Sequence, residues 1–218
     1  MAWARDLRFV HYLANRTLFW KLQRDFFDCG RWLRHFQKFT GVRIADRSSL
    51  DHILVRCNDR LSMIEESRDL GCPRDFRKIA TGYIEKQVDR LANTGILVTG
   101  RHGDFGPWNT IATPNGVTVI DFFNYREGAL HEDIVGILVY LESLSYGIAN
   151  SSHRLLMLHH CFLAGLGPLF EVPQPLVLLC EAQQRIIRIA DAVLVRSGEG
   201  LRRPIRCTES WENSRSLA

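Results

Sequence analysis

The sequence lacks the apolar runs that a membrane would demand. Runs such as Leu176 to Cys180 fall far short of the roughly 20 residues needed to cross a bilayer. Charges at Arg5, Asp6 and Arg8 deny the N-terminus the apolar core of a secretory signal. A soluble protein with no membrane partner is expected. The six cysteines, at 29, 57, 72, 161, 180 and 207, include no Cys-x-x-Cys pair, which argues against a zinc or dithiol redox site. A chain of 218 residues needs no disulfides to fold, so reduced thiols and a cytoplasmic location are expected. There is no Gly-x-Ser-x-Gly, so nothing supports a serine hydrolase. Charge of one sign is also scarce. A net charge of +4 and a pI near 8.8 suit an anionic ligand but not a nucleic acid partner. Repeats and low-complexity segments are absent.

What is present is ordinary globular composition, 46% hydrophobic and 24% charged, which allows a core of useful size. Most of it is patterned as helix. Leu7, Val10, Leu13, Ala14, Leu18, Leu22 and Phe26 recur at three- and four-residue steps and predict a helix over 3–27, docked on its own domain. A second helix is predicted from Gly30 to Phe39, with Trp32, Leu33, Phe36 and Phe39 inward. A third starts near Ser48, capped by it, with Ile53, Leu54, Cys57, Leu61 and Ile64 as its stripe. Pro73 is read as the opening of a long helix whose inner face holds Phe76, Ile79, Ala80, Tyr83, Val88 and Leu91. After Glu132 the pattern returns to helix, over about 132–146, 152–165 and 175–196. Residues beyond Pro204 are polar and read as frayed. One domain is expected, with 1–29 as N-terminal helix, 30–203 as core and 204–218 as tail.

Between these helices the pattern changes. Ile96-Leu97-Val98 reads as a short strand. Thr110 to Thr113 and Val117 to Ile120 are two more, joined through Pro114-Asn115-Gly116, a strong hairpin signal. The segment from Arg101 to Asn109 is irregular, with two glycines and a proline. Asp104 and Asn109 sit on it, and the hairpin can fold Asp121 back beside Asn109. Phosphoryl transfer needs a carboxylate to take the proton of the attacking hydroxyl and oxygen ligands to hold Mg²⁺ against phosphates. Asp104 suits the first role. Asn109 and Asp121 suit the second, since Mg²⁺ prefers carboxylate and amide oxygens. Each residue also has a plainer reading, as a turn former, a cap or a strand-end charge.

The run His102-Gly103-Asp104-Phe105-x-Pro107-x-Asn109, followed by Val119-Ile120-Asp121-Phe122, resembles the aminoglycoside phosphotransferase and choline-kinase-like superfamily, whose members share the protein-kinase fold. The resemblance is tightest over 97 to 141. Upstream, Gly30-Arg31-Trp32-Leu33-Arg34-His35-Phe36 is similar to the family's early C-lobe helix. It implies an α+β, mostly helical, protein-kinase-like C-lobe around a central β-hairpin, and transfer of the ATP γ-phosphate to a small-molecule hydroxyl with Mg²⁺. Asp104 is then the catalytic base, and Asn109 and Asp121 are the metal and nucleotide ligands. His102 braces the loop, and Asp133 opens a helix and bonds back to the loop. Asp133 also reads as a plain helix N-terminal charge.

The departures carry information. Only residues 122 to 132 separate Asp121 from Asp133, leaving no room for a peptide platform, so the acceptor is expected to be a small molecule. The family's ATP-clamping N-lobe has no counterpart in the residues before Gly30, which read as helix. They contain no Gly-rich strand–turn–strand and no Val-Ala-Ile-Lys-like strand, and Lys21 lies on a helix. The sequence predicts a C-lobe without its N-lobe. Two further readings follow: a non-catalytic remnant or binding protein, and a half-enzyme completed by a separate N-lobe polypeptide. His153, His159, His160 and Cys161 lie on an amphipathic helix without metal-ligand spacing. Arg185, Arg188, Arg196, Arg202, Arg203 and Arg206 read as a solvated basic face, with a phosphate- or RNA-binding patch as the alternative.

Overall fold

The computed structural model describes residues 12–67, 72–145, 152–168 and 171–199. The predicted start of the first helix, the polar tail, Cys207 and Arg202, Arg203 and Arg206 lie outside these residues, as does the side chain of Arg196. The described chain is mostly helical with small antiparallel sheets, and it divides into two compact units.

The first unit, 1–44 with 97–171, carries the candidate site. Its backbone is α1 (Arg16–Thr40), capped by Asn15, whose side chain accepts from the amides of Thr17 and Leu18 at 2.9 and 3.2 Å. Such caps satisfy amides that have no partner inside the helix. α1 runs unbroken through Gly30, where the sequence predicted a break. Here the glycine serves packing. α1 lies against α5 (Ser152–Leu166) so closely that a Cβ on Gly30 would stand 2.1 Å from the Phe162 carbonyl oxygen. From the other side, a Cβ on Gly165 would stand 1.9 Å from the Phe27 carbonyl oxygen.

Around that contact, Leu22, Phe26, Cys29 and Leu33 of α1 bury against Leu155, Leu158 and Phe162 of α5 and Ile134, Ile137 and Leu141 of α4 (Glu132–Ser145). Burying such side chains is worth about 1.5–3 kcal/mol each. The stripe is shifted from the predicted one. Phe19 is buried where Leu18 is half-buried and Ala14 exposed. Phe39, predicted inward, is 90% exposed.

Five short strands among the described residues complete the framework. β1 (Val42–Ala45), β2 (Ile96–Arg101) and β5 (Arg126–Ala129) form one sheet with β2 central, and β2 pairs antiparallel with β5 from Val98↔Ala129 to Arg101↔Arg126. β3 (Thr110–Thr113) and β4 (Gly116–Val119) form the predicted hairpin, in register from Thr110↔Val119 to Thr113↔Gly116. β1 and β5 were not expected. Arg43 of β1 and Glu127 of β5 form an ion pair, with Nε 2.9 Å from Oε2.

The second unit, 45–96 with 172–218, is built on three helices: α2 (Asp51–Glu66), α3 (Phe76–Arg90) and α6 (Gln174–Glu199). Ile53, Cys57, Leu61 and Ile64 line the buried face of α2 at helical spacing. Phe76, Ala80, Ile84 and Val88 do so on α3, with Ile79 and Tyr83 only half-buried. A 3-10 turn, Arg47–Leu50, precedes α2. It is capped by Asp46, which accepts from the Ser48 amide at 2.9 Å, so Asp46 takes the role predicted for Ser48. Pro73 supplies a carbonyl to the Phe76 amide rather than the first helical residue. Arg185 and Arg188 are half-buried, not a solvated face. None of the described cysteines forms a disulfide, and no described helix is long and apolar enough to cross a membrane.

Candidate active site

β2 is buried along most of its length and delivers the chain into His102-Gly103-Asp104. The turn is possible because residue 103 is glycine. Its φ is +83°, in the left-handed region that side chains resist, and a Cβ there would meet the Asn124 carbonyl oxygen at 2.5 Å. The turn is held from below by Asp133, in the first turn of α4. Its carboxylate accepts from the His102 amide at 2.6 Å and the Gly103 amide at 3.0 Å. Burial pushes the Asp133 carboxyl up, while the Gly103 and His102 amides pull it back toward the charged form. The Asp133 side chain thus acts on the loop backbone.

His102 is fully buried. Its Nε2 lies 2.9 Å from the Ile120 carbonyl oxygen, and its Nδ1 accepts from the Asp104 amide at 3.4 Å. Those partners place the proton on Nε2, which donates to Ile120. The ring also packs on Phe122, centroids 4.6 Å apart. Trp32 stacks on Phe105 at 5.5 Å, so an aromatic anchor pins the loop beside Asp104 to α1.

The key contact is between Asn109 and Asp104. Asn109 closes the 3-10 turn Pro107–Asn109 and is buried. Its Nδ2 donates to the Asp104 carbonyl oxygen at 2.9 Å and to the Asp104 carboxylate Oδ2 at 3.0 Å. Both partners can only accept, so the amide orientation is fixed by chemistry. Two atoms remain uncommitted among the described residues: Oδ1 of Asn109 and the second carboxylate oxygen of Asp104.

The hairpin ties the residue before Asp121 to Asn109. The Ile120 amide donates to the Asn109 carbonyl oxygen at 2.9 Å, so Asp121 follows directly on a residue bonded to both Asn109 and His102. Asp121 has φ 64° and ψ 63°, and is the only described residue other than glycine with positive φ. Such a conformation costs energy and recurs at functional sites. Its carboxylate is exposed and has no hydrogen-bond or ion-pair partner among the described residues.

The donor set fits a hard cation. It pairs an amide oxygen with a free carboxylate, and Mg²⁺ is commonly bound by one or two carboxylates together with substrate phosphates and water. No cluster of three or more His, Cys, Asp or Glu side chains that could hold a metal exists among the described residues. His159 and His160 are merely neighbours, ring centroids 5.6 Å apart, and burial pushes His159 down.

Sequence reasoning missed one pair. Arg101 and Glu132, 2% and 0% exposed, are joined by Nη1 and Oε2 at 2.9 Å. The signal was an arginine ending an apolar strand and a glutamate just before Asp133.

A turn braced by histidine and aspartate carries an asparagine tied to a carboxylate, a hairpin bonded to that asparagine leads into a strained second aspartate, and the fold that holds them is kinase-like. Two solved structures of glucosamine kinase show it. The first, crystal form B, matches with TM-score 0.61 and 14% identity, over 92% of this chain and 53% of that one. The second, in complex with glucosamine, ADP and inorganic phosphate, matches with TM-score 0.62 and 14% identity, over 92% and 57%. The chain thus spans about half the length of these kinases. No family model matches the sequence, and no curated protein matches it either.

Proposed function

We propose that the chain is a phosphotransferase of the aminoglycoside phosphotransferase type, which moves the γ-phosphoryl group of ATP to a hydroxyl of a small, sugar-like molecule. The observation that carries this reading is the double hydrogen bond from Asn109 to Asp104, in a turn whose Asn109 carbonyl is bonded to the amide of Ile120, the residue before the unpartnered Asp121. The ADP and glucosamine of the neighbouring structure support the same classes of donor and acceptor.

In this reading Asp104 accepts the acceptor hydroxyl's proton on its uncommitted oxygen as that hydroxyl attacks the γ-phosphorus and the bond to ADP breaks. Asn109 holds Asp104 in place and, with Asp121, would hold Mg²⁺. When bound, Mg²⁺ would neutralise phosphate charge. His102 and Asp133 shape the turn and touch neither substrate. Positioning and charge neutralisation are what phosphoryl transfer asks of a protein.

The test is ATP turnover by the purified chain with Mg²⁺ and a panel of sugars, amino sugars and amino alcohols. Asp104→Ala should abolish turnover while nucleotide binding persists, and Asp121→Ala should weaken Mg²⁺–nucleotide binding as well. Equal and mild effects of both changes would defeat the assignment.

A further inference from the structure

Arg101 and Glu132 are the residues immediately before His102 and Asp133, so two bridges join the same two segments side by side. One is the ion pair, and the other is the pair of backbone amides held by the Asp133 carboxylate. The ion pair is packed on every side. Glu132 also accepts from the Ala129 amide through Oε1 at 2.8 Å. A Cβ on Gly128 would stand 2.5 Å from both the Arg101 Cδ and the Glu132 Oε1, so the strand next door is pared to a glycine to admit the pair.

A pair buried this deeply is a poor choice for stability alone. Desolvation of the two charges offsets their attraction, and apolar side chains of similar volume usually serve as well or better. Arg101 pays more than most, because its Nε and Nη2 find no hydrogen-bond acceptor among the described residues. What an ion pair supplies that leucine does not is a fixed separation between two backbones.

We infer that Arg101 and Glu132 are positioning residues for the transfer reaction. They lock the end of β2 to the start of α4, so that Asp133 meets the His102 and Gly103 amides and Asp104 projects in one direction. The pair touches no substrate. The inference rests on the proposed phosphotransfer. Misplacement of a reacting group by about 1 Å can cost ~100-fold in rate.

The experiment compares the wild-type chain with the double variant Arg101→Met/Glu132→Leu by thermal unfolding, by the kinetics of ATP turnover, and by hydrogen exchange at the His102 and Gly103 amides. The expected result is an unfolding temperature at or above wild type, kcat lower by ~100-fold with the nucleotide KM unchanged, and His102 and Gly103 amides exchanging at least about tenfold faster. A folded variant with wild-type kcat and wild-type exchange would overturn the inference. So would lower stability with kcat intact per folded molecule, since the pair would then be merely structural. If the apolar pair does not fold, Arg101→Gln/Glu132→Gln, which removes both charges and with them the ion pair, is read by the same criteria. Should the wild-type chain turn over no acceptor, the proposed function fails, but exchange at the two amides still decides whether the pair holds the turn.

Discussion

The side-chain amide of Asn109 donates to two oxygens of a single residue, the carbonyl and the carboxylate of Asp104. One residue thereby fixes both the backbone and the side-chain direction of the candidate base. Hydrogen bonds to a charged group are worth about 1.5–3 kcal/mol.

Asn109→Ala should therefore lower kcat by at least ~10-fold through a loosened Asp104, since each ~1.4 kcal/mol is tenfold in rate. Asn109→Asp should be worse, because it sets a second carboxylate against Asp104. Steady-state ATP turnover checks both, with circular dichroism to confirm that the fold persists.

Asp121 holds a left-handed backbone that a β-branched residue resists. Asp121→Gly should stay within about 1 kcal/mol of wild-type stability, while Asp121→Val should cost ~1–2 kcal/mol. Both should lose Mg²⁺–nucleotide binding alike. Urea unfolding and calorimetric titration separate the two effects.

Gly103→Ala adds a Cβ at a positive φ and against the Asn124 carbonyl oxygen. Strain and overlap together should cost about 2–4 kcal/mol. Urea midpoints measure it, and a near-neutral outcome would mean that the turn can be re-formed without glycine.

Asp25 lies on α1 beside Asp28. Burial, and then the Asp28 charge, push its pKa up to about 6 from 3.8. The folded form holds the proton more tightly than the unfolded chain, so this contribution favours folding below about pH 4 and is lost as pH rises through about 6. Asp25→Asn should raise the unfolding temperature at pH 7 and above, and the gain should vanish near pH 4. Thermal scans across that range check the sign.

The hydrogen-bonded turn was legible because its polar residues and glycine stand at the spacings of a recognisable motif. His102, Asp104, Asn109 and Asp133 are joined by hydrogen bonds, and Asp121 is delivered by the hairpin that Asn115-Gly116 announced. Gly30 was misread, since a glycine at a boundary between two helices and one that admits a neighbouring helix look alike until the neighbour, Gly165, is in place. β1 and β5 were invisible for a different reason. Val-Arg-Ile-Ala and Arg-Glu-Gly-Ala are too short to signal strands on their own, and they become strands because β2 offers them an edge. The Arg101–Glu132 pair was hidden because an arginine at a strand end reads as exposed.

The meeting of α1 and α5 at Gly30 and Gly165 has a bearing on kinship. Two main chains in direct touch leave no side chain that could shrink to compensate for a larger one, so both positions must stay small together. Everything around them, from Leu22 to Phe162, can trade volume with its neighbours and drift. A distant cousin of this chain would then be recognised by a pair of matched small residues on two helices, even where the intervening sequence has lost all visible likeness.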